Sequence, residues 1–323
     1  MARRAKFGFL LPMGSYQRCL NAALKAEGLG LDSLWVYDDL HGFPHEDVLD
    51  TFTAWAAIAQ ATRKIALGSS VIAIQRHHPV TLSKALATID WISGGRAICG
   101  IGAGGADASY GFPDVPTPVR RMAEAIEVMK SLWTGDGTNF AGTYYKVTSA
   151  RLVPRPLQRP HPPIWLGANH PKTMKLAAKM ADGWLPMTTT PRLFGEDLRY
   201  VRECAERAGR RADAMRNGLL LYVLVGRDAS AIGRSFEPLA RPTMLWLDGR
   251  SLRRLGHPVP RSAADAPVEV LRQMAAYGTP QDVAASVGAF IDAGVEHFVL
   301  GVLPPDRAEE QMGSFVDEVF PLL

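Results

Sequence analysis

Apolar runs of strand length alternate with amphipathic helical stretches eight times along this 323-residue chain, and no other feature restricts its fold as much. The pattern predicts strands over Lys6–Pro12, Ser33–Tyr37, Ile65–Ile72, Arg96–Ile101, Ile164–Leu166, Gly183–Met187, Leu219–Val225 and His297–Val302. Between them it predicts helices over Tyr16–Leu29, Glu46–Ala61, Pro79–Ile92, Pro118–Trp133, Pro171–Ala181, Pro191–Ala208, Thr279–Ala293 and Pro305–Phe320. Runs of branched residues without polar alternation fit parallel strands covered on both faces. The rhythm breaks twice. Thr134–Gln158 has turn residues and alternation suited to a hairpin, and Asp228–Ala266 is an irregular stretch rich in Arg, Pro and Gly. The expected architecture is one α/β domain over residues 1–323, a (β/α)8 TIM barrel with an insertion after strand 4 and another after strand 7. A doubly wound sheet fits less well, because no GxGxxG follows the first strand.

Composition excludes several classes of function. Hydrophobic residues make up 47% and charged residues 21%, as in ordinary globular proteins. The net charge is +4 and the arginines are dispersed, so a nucleic-acid partner is not expected. Cys19, Cys99 and Cys204 stand far apart and read as buried thiols, with neither a disulfide framework nor a zinc site. The apolar run Phe7–Leu11 is too short for a signal peptide or a membrane span, so a cytoplasmic protein without a membrane partner is expected. A small-molecule substrate and assembly into a homo-oligomer, a dimer, complete these expectations.

In such a barrel the chemistry sits at the carboxyl ends of the strands. Strand 2 ends in Asp38, Asp39, Leu40 and His41. Two adjacent acids are costly to bury unless hydrogen-bonded or used, so one acid is read as holding a polar ring edge and the other as handling a proton. Helix capping or a solvated loop is the alternative. Strand 3 ends in Gly68, Ser69, Ser70 and Val71, and strand 4 in Gly102, Ala103 and Gly104. Neighbouring strand ends without bulk admit a flat ligand against bare backbone, although tight packing or a bulge produces the same pattern. Gly167, Ala168 and Asn169 precede Pro171, so their amides can face an anion at a helix start, unless Asn169 or His170 only caps that helix. His77 and His78 are metal ligands by type, but too few partners accompany them, and no metal is expected.

Several motifs occur in an order that resembles the bacterial luciferase-like superfamily of flavin- and deazaflavin-dependent oxidoreductases. They include Gly30–Asp38, Leu67–Val71, His78-Pro79, Ser93–Gly104, Pro162–Ala168 and Ala178–Trp184. Within it the chain resembles the branch that uses coenzyme F420, such as methylenetetrahydromethanopterin reductase and the F420-dependent glucose-6-phosphate and alcohol dehydrogenases. The resemblance implies a (β/α)8 barrel, a non-proline cis peptide at Ser70–Val71 that bends the ring, and a cofactor contact at Asp38. It also implies hydride transfer to a C=C, C=N or C=O group, with Asp39 or His41 supplying the proton. A donor at Asp39 needs burial to lift its pKa toward the working pH.

Two departures stand out. Asp39 occupies a position where that branch often has histidine, and Gly105 stands where its sugar-phosphate dehydrogenases have glutamate. Both count against glucose 6-phosphate as substrate. The stretch Asp228–Ala266, with Phe236, Met244 and Trp246, suits a lid over an apolar substrate, or else a surface excursion. The alternatives are an FMN-dependent monooxygenase on the same fold and a non-catalytic cofactor-binding protein.

Overall fold

The computed structural model describes residues 5–40, 47–104, 110–112, 116–242, 249–262 and 265–323. Among the described residues twelve strands follow one another: β1 (Lys6–Leu10), β2 (Ser33–Val36), β3 (Ala66–Ser69), β4 (Ile72–Ala73), β5 (Ala97–Gly102), β6 (Thr138–Ala141), β7 (Lys146–Ala150), β8 (Ile164–Leu166), β9 (Gly183–Trp184), β10 (Arg216–Val225), β11 (Ala276–Gly278) and β12 (His297–Val302). Parallel pairing runs β1–β2–β3–β5–β8–β9–β10–β12, and β12 returns to β1 with Lys6 opposite His297. The result is a closed eight-stranded TIM barrel with helices outside, as the alternation predicts. The hairpin after strand 4 is also present, as antiparallel β6 and β7.

Local sequence accounts for the helix starts. Helices Pro79–Ser93, Pro118–Thr134, Pro171–Met180, Pro191–Arg207 and Pro280–Asp292 all open on proline. Proline has no N–H to leave unpaired in a first turn, and its φ is already helical. Thr279 and Asp282 add a reciprocal capping box to the last of these.

Large side chains facing small ones fill the barrel interior. Trp35, Trp165, Leu185, Leu220 and Val299 form its core. The two indoles lie 5.4 Å apart between ring centroids. A Cβ on Gly68 would stand 2.3 Å from the Trp35 ring, and one on Gly183 or Gly218 would fall 2.4 or 2.6 Å from the Trp165 ring. At the amino-terminal end, Ser33 Oγ accepts from Trp35 Nε1 at 2.8 Å and is hydrogen-bonded to His297 Nε2 at 2.7 Å. Burial, with the nearby positive charges of Lys6 and Arg216, pushes His297 down to about 3, so it is a neutral imidazole.

The hairpin is held by one carboxylate. Glu124, on helix Pro118–Thr134, accepts from the backbone N–H groups of Thr143 (3.1 Å), Tyr144 (2.7 Å) and Tyr145 (3.4 Å).

Three expectations about elements need correction. The third strand does not run unbroken over Ile65–Ile72: β3 stops at Ser69, and β4 starts at Ile72. Asp228–Ala266 is not wholly irregular, because it holds helices Ala229–Ala240 and Gly249–Arg254. Asp228 caps the first of them by accepting from Ser230 N and Ala231 N. A further strand, β11, pairs with Val223–Val225 of β10 outside the barrel circuit.

Candidate active site

A cavity of about 680 Å³ opens at the carboxyl ends of the barrel strands. This is the end where such barrels carry their chemistry, and the size suits a cofactor or substrate. Asp38, Asp39, Ser70 and Val71 line it, as do Gly102, Ala103, Gly104, Gly167 and Asn169. Gly68, Ser69 and Ala168 do not, and each has a packing reason. Gly68 makes room for Trp35. Ser69 Oγ accepts from Gly100 N at 3.0 Å and donates to Gly100 O at 2.9 Å, stitching β3 to β5. Ala168 is buried, and its carbonyl accepts from Trp184 Nε1 at 2.7 Å. His41 and Gly105 lie outside the described residues.

The Ser70–Val71 peptide bond is cis, as the resemblance implies. Val71 sits across the top of the inner core. A Cβ on Gly102 would stand 2.5 Å from Val71 Cγ2, and one on Gly167 would stand 3.1 Å from Val71 Cγ1. The bare ends of β5 and β8 therefore accommodate this valine, which in turn faces the cavity. Gly104 continues the rim at φ +82°, a conformation glycine adopts without steric cost.

Asp38 is built into a brace. One carboxylate oxygen accepts from Ala73 N at 3.0 Å and pairs with His77 Nε2 at 2.7 Å and Arg76 Nη2 at 3.3 Å. Burial alone would raise this carboxyl. The hydrogen bond and charge of His77, the charge of Arg76 and the Ala73 N–H outweigh it and hold Asp38 below its ordinary value. The brace ties the end of β2 to the turn Ile74–Arg76 that follows β4. Asp39 also lines the cavity but is exposed, so the burial expected to lift its pKa is not found.

Asn169 accepts from Met187 N at 3.2 Å, and its amide donates to Met187 O. The cap of helix Pro171–Met180 is His170, not Asn169: His170 Nδ1 accepts from Lys172 N. Likewise His78 caps helix Pro79–Ser93, and no cluster suited to a metal ion occurs among the described residues.

Sequence reasoning missed Arg76 and Tyr222, both of which line the cavity. Arg76 stands two residues after the apolar run Val71–Ile74 at the chemical face of the barrel, and that position is its signal. Tyr222 was detectable too: it lies two residues after Leu220, on the same inward face of β10. Phe236, expected in a lid, is fully buried and stacks on Tyr277 at 4.5 Å. Leu239 on the same helix reaches the cavity instead, while Met244 and Trp246 lie outside the described residues.

Comparisons with known proteins agree with this architecture. An F420-dependent glucose-6-phosphate dehydrogenase of Amycolatopsis mediterranei is 28% identical over 315 residues, covering 93% of this chain and 92% of the relative. One of the same name from Kineococcus radiotolerans is 29% identical over 311 residues, covering 93% of this chain and 91% of the relative. The solved structure of a coenzyme F420-dependent tetrahydromethanopterin reductase from Methanopyrus kandleri superposes with a TM-score of 0.86 at 22% identity, covering 99% of both chains. The luciferase-like monooxygenase family matches residues 5–297, most of the barrel described above, and the chain belongs to that family.

Proposed function

We propose that this protein is an F420-dependent oxidoreductase that transfers a hydride between the deazaflavin and a C=C, C=N or C=O group of a small organic molecule. The observation that carries the reading is the rim itself. Ser70 and Val71 meet the glycine-bearing ends of β5 and β8 in a cavity of about 680 Å³. Relatives named as F420-dependent, aligned over 93% of the chain, support the choice of cofactor.

The residues present fit such a group. A side chain on Gly104 would stand 3.5 Å from Ala73 Cβ and from Gln75 Cγ, so the rim there is bare backbone beside packed side chains. Ser70, Val71, Gly102, Ala103, Gly104 and Gly167 would hold the ring and its chain, with Arg76 as the nearby cation. When bound, the deazaflavin supplies a hydride, and its carbon in place of a flavin nitrogen makes it slow toward oxygen. The protein's part is orientation, exclusion of water and a proton. Asp38 keeps the turn bearing Arg76 and His77 against the end of β2. Asp39, which lines the cavity and would be buried by the bound cofactor, or His41 two residues on, carries the proton at its side chain.

The test is cofactor titration of the purified protein. Saturable binding of F420, seen by its absorbance near about 420 nm, followed by hydride transfer to an added acceptor, is the expected result. Retention of FMN, absorbing near about 450 nm, with no F420 binding overturns the reading. Tight F420 binding without transfer to any acceptor would make the protein a carrier.

A further inference from the structure

The cavity has two chemically different walls. The one built from β2, β3, β4 and β5 presents backbone, Asp38, Asp39 and Arg76. The opposite one presents Leu185, Met187, Leu220, Leu239, Val302 and Leu303. Tyr222 interrupts this aliphatic surface. It faces Gly301 across β10 and β12, where a Cβ would stand 2.9 Å from two of its ring carbons. The glycine lets the ring lie against the strand.

We propose that the second wall selects a neutral, largely aliphatic acceptor with one hydrogen-bond-accepting oxygen or nitrogen, and that the Tyr222 hydroxyl holds that atom. The proposal rests on the F420 reading for the side of the cavity the cofactor takes.

Two arguments support it. First, Arg76 is the single cationic residue among the described residues that line the cavity, and it is paired with Asp38 at 3.3 Å. A phosphate group would lose its hydration against aliphatic side chains, which is costly without a matching charge. Small-molecule sites are typically apolar walls with a few placed polar groups, and this wall has that composition. Second, Tyr222 is suited to donating. Burial, with the negative charge of Asp39 second, pushes its hydroxyl up to about 12, so it stays protonated at neutral pH. Leu239 adds a contact that is easily altered, since it is 37% exposed near the end of helix Ala229–Ala240.

The experiment measures calorimetric binding of straight-chain methyl ketones, from butanone to nonanone, and of glucose 6-phosphate. Each is titrated into the protein with and without F420. Affinity is expected to rise roughly threefold to fourfold per added methylene until the wall is covered. Glucose 6-phosphate is expected to give no saturable binding. Tyr222→Phe should weaken every ketone by roughly threefold to tenfold and leave the gain per methylene unchanged. Leu239→Asp, at a partly exposed position, should reduce the gain for the longest ketones only. Saturable binding of glucose 6-phosphate, or a series flat with chain length, overturns the aliphatic wall, and a Tyr222→Phe variant that binds ketones as well as the parent removes the hydroxyl from the proposal. Failure of F420 to bind while the ketone series rises overturns the F420 reading instead.

Discussion

The two ends of this barrel solve opposite problems with the same residue type. At the amino-terminal end, Gly8, Gly183 and Gly218 give space to Ser33 and Trp165, and His297 closes the plug neutral and buried. At the carboxyl end, Gly102 and Gly167 give space to one valine, and above it a cavity of about 680 Å³ stays open. A glycine in a strand is thus evidence of a neighbour's bulk. Whether that neighbour is a buried indole or the floor of a binding site depends on the end of the barrel it occupies. The contrast predicts that substitutions at the mouth change turnover and affinity, whereas substitutions at the plug change stability alone.

The largest expected effect belongs to the mouth. Asp39 lines the cavity that F420 would fill, so the burial a donor needs would come with the cofactor, and Asp39→Asn should then lower kcat by roughly 10²–10⁴ with any acceptor that turns over, while F420 affinity survives. His41→Ala should do less. Steady-state kinetics beside cofactor titration check this, and a reversal of the two effects moves the proton to His41. Asp38→Ala should weaken F420 binding by about 1.5–3 kcal/mol, because it leaves Arg76, His77 and the Ala73 N–H without their common acceptor. Unchanged affinity in a folded variant would show that the brace is irrelevant to the rim.

The plug should respond to acid. Below about 6.5 an unfolded histidine takes up a proton that His297 refuses until about 3. Its contribution to stability is therefore complete above 6.5 and is lost as pH falls from there toward 3. Urea unfolding of the parent and of His297→Gln should diverge in slope, by about 2 kcal/mol between pH 7 and pH 5. Parallel curves would mean that the imidazole is protonated within the fold.

The smallest effects sharpen the comparison most. Gly68→Ala should cost about 1–2 kcal/mol through the Trp35 ring and leave cofactor affinity intact once the protein is folded. Gly102→Ala should cost about 1 kcal/mol, and Val71→Ala in the same chain should recover much of it. Thermal melting of the single and double variants decides whether the glycine exists for the valine.

Much of this was legible beforehand. Eight strand and helix alternations fixed the barrel, because a parallel strand buried on both faces leaves a continuous apolar run. The strand ends pointed to the mouth for the same reason. What the sequence does not show is which neighbour a residue meets. Gly68 and Ser69 read as cofactor cradle; in the fold they do not line the cavity, and they meet Trp35 and Gly100 on neighbouring strands. The partners of Asp38 lie 35 to 39 residues away, across the β3–β4 break, and no local pattern announces them. In Asp228–Ala266 the abundance of Arg, Pro and Gly hid a capped helix, although Asp228 carried the start signal.

The Glu124 contacts carry a different consequence. Three converging backbone N–H groups make an anion-binding nest, and here the anion belongs to the chain itself. The hairpin is in effect a receptor whose ligand is tethered to it, so docking is governed by effective concentration, not by affinity for anything in solution. Tether length enters that quantity only weakly, since doubling a loop costs about 0.6 kcal/mol. Insertions between Gly135 and the hairpin strands should then be absorbed with little loss.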